Sequence, residues 1–254
     1  MFKIATWNVN SIRVRLPQVL DWLNTAAPDI VALQETKVTD NKFPIDKIRA
    51  AGYHVLFSGQ KIYNGVALLS RLKGNDVITD LPNLDDPQRR VLGATYGNTR
   101  VLNVYVPNGS PVGSDKYLYK LNWFKHLHDY ISDSLKHFSR LIILGDFNIA
   151  LEDRDVYDPM AWAGKVIVTP RERLALQQLL NLGLHDTFRL FEQAPMSFSW
   201  WDYRTGAFQR NRGLRIDLVL ASAALHCTAC MIDIAPRGLE RPSDHAPVIA
   251  TFDE

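Results

Sequence analysis

Residues 141–150 read LIILGDFNIA. The aliphatic run Leu141, Ile142, Ile143, Leu144 is what a strand buried on both faces needs. It stops at Gly145, Asp146, Phe147 and Asn148, so a core strand delivers a carboxylate and an amide at its tip. The same alternation of apolar run and polar ending recurs along the chain and predicts both the fold and the site.

Similar β-rich runs cover Lys3–Val9, Asp29–Gln34, Tyr53–Ser58, Gly65–Ser70, Val91–Tyr96, Arg100–Val106, Ser197–Asp202, Leu214–Leu220, Cys227–Ile234 and Ala246–Phe252. Helical spacing appears over Pro17–Thr25, over Lys116–Leu135 (Leu118, Leu121, Phe124, Leu127, Tyr130) and over Pro170–Leu182, which Gly183 closes. Strands that do not alternate strictly with helices argue against a βαβ barrel and for two packed sheets covered by helices. With 254 residues, 46% of them hydrophobic, one large α/β domain is expected over residues 1–254. The net charge of +2 is compatible with a polyanionic partner without requiring one. Two cysteines, Cys227 and Cys230, are too few for a disulfide framework and read as buried thiols in a strand. The opening MFKIATWNVN lacks a basic segment followed by an apolar one, and no apolar stretch reaches membrane-spanning length. A soluble cytoplasmic monomer with no membrane contact is therefore expected.

The polar endings collect one kind of chemistry. Asn8 and Asn10 follow the first strand, Glu35 ends VALQETK, and Tyr105 and Asn108 end LNVYVPNG. Asp217 interrupts LRIDLVL, and Asp244 and His245 precede the last strand. A polar residue after a strand is ordinarily turn chemistry, but six such endings in one chain make that an improbable account of the set. Asp217, inside a buried-looking strand, must have a partner. Carboxylates and amide oxygens are hard ligands suited to Mg²⁺ or Mn²⁺. Glu35, Asn8 and Asp244 are candidates to hold the ion, with Asp146 and Asn148 as further candidates that also suit holding a water for attack. Asp217 is suited to fixing and charging His245. No Ser or Cys stands out beside a histidine, which favours direct attack by water.

The stretches TWNVNSIR, LQETK, YVPNG, LGDFNIA, FSWWDYR, NRGLRIDLVLAS and SDHAPV strongly resemble the exonuclease III family of abasic-site endonucleases, within the wider endonuclease–exonuclease–phosphatase superfamily. The resemblance runs from Phe2 to Phe252. It implies a DNase I-like, four-layered α/β sandwich. It also implies Mg²⁺-dependent hydrolysis of duplex DNA 5′ to an abasic site or at a damaged 3′ end. By motif position Asn8, Glu35 and Asp244 resemble metal-site residues, and Tyr105 and Asn108 resemble contacts to the scissile phosphate. Asp146 resembles the group that activates water or protonates the leaving oxygen, Asn148 an orienting group, and Asp217 with His245 the Asp–His pair. Some relatives carry Asp where this chain has Asn10, so no second metal site is assigned there.

Trp200, Leu214 and Ile216 match positions lining the family's pocket for an extruded abasic sugar. Arg204, Arg210, Arg212 and Arg215, interleaved with aromatics, form an expected phosphate-contacting loop. Lys116, Lys120 and Lys125 lie on one predicted helix that either adds to the DNA face or simply faces solvent. The conformation of Trp162–Thr169, which borders the pocket, does not follow from its residues. Two competing functions are a superfamily phosphatase acting on inositol or lipid phosphates and a non-catalytic DNA-binding relative. The FSWWDYR and NRGLRID stretches oppose the first, and retention of Glu35, Asp146, Asp217, Asp244 and His245 opposes the second.

Overall fold

A computed structural model describes residues 1–82 and 84–253. In chain order the strands are β1 (Phe2–Asn8), β2 (Ile30–Gln34), β3 (His54–Ser58), β4 (Val66–Ser70), β5 (Asn75–Ile78), β6 (Val91–Tyr96) and β7 (Thr99–Tyr105). They continue with β8 (Leu141–Asp146), β9 (Leu184–Asp186), β10 (Trp200–Trp201), β11 (Gly213–Leu214), β12 (Asp217–Ser222), β13 (Cys227–Ile232) and β14 (Val248–Phe252). The helices are α1 (Ile12–Ala26), α2 (Ile45–Ala50), α3 (Asp115–His137), α4 (Pro159–Trp162) and α5 (Pro170–Leu180).

Two six-stranded sheets result, ordered β13-β14-β1-β2-β4-β3 and β5-β6-β7-β8-β12-β9. Each has a parallel pair, β1/β2 and β7/β8, among antiparallel neighbours. Parallel neighbours need a crossover, and α1 and α3 supply the two. The inner faces share one core, in which Ile4, Ala32 and Leu68 of the first sheet meet Leu92, Ile142, Leu144 and Val219 of the second. The outer faces pack on helices: Ala5 and Trp7 with Val19 and Leu23 of α1, Leu141 and Ile143 with Phe124 of α3 and Leu176 of α5. Strands covered on both faces explain the unbroken aliphatic runs, and the four layers are those expected.

Strand parity then places the site. Side chains alternate between faces, and inward positions are 4, 6 and 8 on β1, 101, 103 and 105 on β7, 142, 144 and 146 on β8, and 217, 219 and 221 on β12. Asn8, Tyr105, Asp146 and Asp217 thus all project into the layer between the sheets, at its open end. One step deeper, Gln34 donates to Asn103 at 2.8 Å and Asn103 donates to the carbonyls of Leu33 and Ala67. This polar layer separates the site from the aliphatic core. Gly145 is required at the tip of β8: its φ is +152°, and a Cβ there would lie 1.8 Å from the Val104 carbonyl oxygen.

Several elements differ from expectation. Helix α1 starts at Ile12, ahead of Pro17, because the free N–H groups of Ser11 and Ile12 find the carbonyls of Glu35 and Thr36 leaving β2. The Ser197–Asp202 run keeps only two strand residues, and Leu214–Leu220 breaks into β11 and β12. The sequence reading also missed β5 and β9. Cys227 and Cys230 are buried unpaired thiols in β13, as expected. Among the described residues no helix is long and apolar enough to cross a membrane.

Candidate active site

The side chain of Asn8 ties two carboxylates together. Its amide nitrogen donates to Glu35 Oε1 at 2.8 Å and to Asp146 Oδ2 at 2.9 Å. Its oxygen accepts from the backbone N–H of Asn10. Glu35 also receives the Tyr105 hydroxyl at 3.0 Å and pairs with Lys37 at 2.7 Å. Burial works to raise the Glu35 pKa, but Lys37 and the Asn8 hydrogen bond outweigh it, so the group is held below its ordinary value. Tyr105 moves the other way: burial first, then Glu35 and Asp146, push its pKa well up and keep it a neutral donor.

Asp146 and Asp217 are register partners across the β8/β12 ladder. Two facing carboxylates in a dry site repel, and His245 sits where it offsets this. Its Nδ1 is 2.8 Å from Asp217 Oδ2 and its Nε2 3.8 Å from Asp146 Oδ2. Burial opposes a charge on His245, yet Asp217 and then Asp146 raise its pKa, making it an imidazolium. The Asp146 pKa is raised as well, chiefly by burial, with His245 pulling against it. The ring is anchored at its backbone: Trp7 Nε1 donates to the His245 carbonyl, and the His245 N–H donates to Ser243 Oγ.

Ser199 was missed by the sequence reading. Its hydroxyl donates to Asp217 Oδ2 at 2.7 Å and accepts from the N–H groups of Ile216 and Asp217. The available signal was a small hydroxyl inside an otherwise aromatic FSWW. Asn148, in the left-handed region at φ +48°, donates its N–H to Asp146 Oδ1 at 2.9 Å and accepts from Asn108 Nδ2 at 3.1 Å. Asn10, Glu35 and Lys37 are also left-handed, so backbone strain gathers at this mouth.

Of the five expected metal-site residues, Glu35 and Asp146 turn carboxylate oxygens toward one point. Their ligand atoms and one of His245 lie within 4.8 Å of one another. Hard oxygens in a half-open site fit a hard dication. The other three have hydrogen-bond partners of their own here. Asn8 presents its amide nitrogen and acts as the bridge between the carboxylates, and the oxygen of Asn148 is taken by Asn108. Asp244 belongs to an adjoining cluster, where Asn10 Nδ2 occupies Oδ1 at 2.9 Å and Trp200 Nε1 occupies Oδ2 at 3.1 Å. Burial raises the Asp244 pKa, but His245, Asn10 and Trp200 bring it below normal.

The three residues expected at the pocket lie together. Trp200 is half-buried at the surface, but Leu214 (0% exposed) and Ile216 (2%) pack with Ala150, Val156, Ile167 and Val168 beneath it. They form the floor on which Trp200 rests. The undetermined Trp162–Thr169 segment seals that floor, held by a bond from the Ala150 N–H to the Ile167 carbonyl. In the arginine loop Arg204, Arg210 and Arg212 are exposed, with Arg204 tied to Asp202 at 2.7 Å. Arg215 is buried between Asp155 and Asp186, at 2.7 and 2.8 Å, with its side chain 1% exposed. Of the helix lysines, Lys116 lines a groove beside Asn108, Lys125 pairs with exposed Asp129, and Lys120 is wholly buried.

Two sheets enclosing paired carboxylates, an imidazolium and a neutral phenol suit a hydrolase of phosphate esters. Residues 5–245 match the endonuclease/exonuclease/phosphatase family. The exodeoxyribonuclease III of Haemophilus influenzae is 36% identical over 98% of this chain and 99% of its own. A 3′ phosphatase from Neisseria bound to a product DNA hairpin superposes with a TM-score of 0.98 at 47% identity over 100% of both chains. An AP endonuclease from Archaeoglobus fulgidus superposes at 0.97 with 40% identity, again over 100% of both. The chain belongs to the endonuclease/exonuclease/phosphatase family, in its exonuclease III branch of DNA-repair nucleases. The inositol-phosphatase and non-catalytic readings are not favoured.

Proposed function

We propose that this nuclease uses Mg²⁺ to hydrolyse duplex DNA on the 5′ side of abasic sites and at damaged 3′ ends, acting as a monomer with one domain over residues 1–254. The observation that carries the reading is the grouping of Glu35, Asp146 and His245 within 4.8 Å, beside half-buried Trp200. Glu35 and Asp146 would hold Mg²⁺, or Mn²⁺ in its place, with Asn8 orienting both and Asp244 and Asn148 flanking them, and the ion would supply positive charge for the phosphoryl oxygens. His245 adds a second positive charge from Nε2 while Asp217 fixes the ring at Nδ1. Asp146 takes a proton from the attacking water and can return it to the leaving oxygen. Neutral Tyr105 and the Asn108 amide donate to the scissile phosphate, with Asn148 orienting Asp146 through its N–H. Among the described residues the His245 ring bonds to no Ser or Cys, which supports direct attack by water.

The exposed Arg204, Arg210 and Arg212 are read as phosphate contacts. Trp200, with Leu214 and Ile216 under it, is read as the apolar wall that favours a sugar without a base. Action on DNA is what supports a cytoplasmic location. The test is purified protein on three duplexes, one with an internal abasic site, one with a blocked 3′ end and one undamaged, with Mg²⁺ or with excess EDTA. Faster cleavage of both damaged duplexes, abolished by EDTA and restored by Mg²⁺, is expected. Undiminished turnover in EDTA overturns the metal assignment, and equal rates on all three overturn the selection.

A further inference from the structure

A buried ion pair beneath the phosphate-facing loops has no part in the roles above. Lys120 of α3 and Glu172 in the first turn of α5 are both 0% exposed, with Nζ and Oε1 2.5 Å apart. An ammonium has three donors, and here all three have acceptors: Glu172, the Asn148 carbonyl at 2.7 Å and the Asn108 carbonyl at 3.1 Å. Glu172 reaches the other way. Its Oε1 accepts from the Ile167 N–H at 3.0 Å, and its Oε2 accepts from the N–H and hydroxyl of Thr169 at 3.1 and 2.6 Å. The loop after β7 also rests on the lysine stem: a Cβ on Gly109 would lie 2.8 Å from Lys120 Cδ.

Stability alone is a weak reason for such a pair, since desolvating two charges can cost as much as their attraction returns. An apolar pair could fill the same volume. It could not donate to carbonyls on two loops while accepting from a third. The third segment matters because Ile167 and Val168 pack with Leu214 and Ile216 under Trp200. We propose that Lys120 and Glu172 are positioning residues for the hydrolysis, holding Asn108 and Asn148 in register with the Ile167–Thr169 segment that floors the pocket. Packing against Trp200 is thereby transmitted to the groups facing the phosphate. This rests on reading Asn108 and Asn148 as the phosphate-side groups.

Removing one partner would strand a buried charge, so the informative variant is Lys120→Met with Glu172→Gln. It is charge-balanced, and the glutamine oxygen still accepts from one of the two backbone N–H groups, those of Ile167 and Thr169, that Glu172 holds. Melting temperature, kcat and KM are measured on the abasic duplex, with rates normalised to folded protein. The expected result is a kcat loss per folded molecule of about 10- to 100-fold, the scale of a misplacement approaching 1 Å, with KM nearly unchanged. A purely structural role would lower the melting temperature and leave kcat per folded molecule intact, which overturns the proposal. Glu172→Asp keeps both charges and shortens the reach by one methylene. It is the second variant should the first not fold, and is expected to lose less kcat, again without a KM change; unchanged kcat overturns the proposal equally. Asn148→Ala separates the two layers of inference. If it lowers kcat while the ion-pair variants do not, the coupling alone is wrong; if it leaves kcat intact, the reading of Asn148 fails and the coupling falls with it.

Discussion

Replacing Asp217 with Asn keeps the shape of the side chain, and its amide oxygen still accepts from His245 Nδ1. What it removes is a full negative charge beside the ring, in a pair whose side chains are 4% and 0% exposed, so solvent screening is slight. With about 4 Å between charge centres and an effective dielectric near 20, that charge is worth about 4 kcal/mol. At 1.36 kcal/mol per unit this equals about three pH units of proton affinity. Some of it is returned by the amide dipole, so the alkaline limb of the kcat profile should move down by about two units. With the His245 pKa raised to about 10 in the wild type, Asp217→Asn should therefore cost little near pH 6, about fourfold near pH 8.5 and close to 100-fold only near pH 10, whereas His245→Ala should be impaired by about 100- to 1,000-fold at every pH. The assay is a pH profile of kcat on an abasic duplex for wild type, both single variants and the double. In the His245→Ala background Asp217→Asn should add little, because its effect passes through the imidazolium. A profile lowered uniformly without a shift, or a full additive cost in the double variant, would refute the reasoning and make Asp217 a fold residue.

Two further outcomes follow from the surface of the site. Charge removal at Arg210 and Arg212 together should weaken binding to any duplex and reduce the salt slope by about one per lost phosphate contact; affinity measured across a salt series checks it, and Arg204, already paired with Asp202, should matter less. Trp200→Ala should lower the ratio of kcat/KM for abasic over undamaged duplex, about tenfold for each 1.4 kcal/mol of lost discrimination. Both rates falling together would show that Trp200 acts through Asp244, to which its indole donates.

Much of this architecture was legible because strands buried on both faces leave unbroken aliphatic runs, and a polar residue ending such a run is conspicuous. Asp146, Asp217 and His245 were found that way and do meet. What escaped depends on partners remote in sequence. Lys120 shares its helix with Lys116 and Lys125, and nothing local distinguishes it; its partner Glu172 lies 52 residues away. Arg215 looks like its exposed neighbours Arg210 and Arg212 until Asp155 and Asp186 are brought beside it. Strand β5 is mostly exposed and β9 has three residues, so neither leaves a period to read. Asn8 and Asp244 have the right chemistry for a metal, but which atom faces the ion depends on hydrogen bonds from Asn10 and Trp200 that composition cannot reveal.

The carboxylate at the tip of LIILGDFNIA carries the central claim, and Asp146→Asn tests it most directly. Equilibrium binding and single-turnover cleavage should be measured on one abasic duplex in the same Mg²⁺ buffer, with catalytic conditions for the second. The account predicts affinity within about tenfold of wild type and cleavage slower by at least about 1,000-fold, since a group acting in the transition state adds little to ground-state binding. Cleavage that stays within tenfold of wild type, or affinity that falls in step with rate, would contradict it.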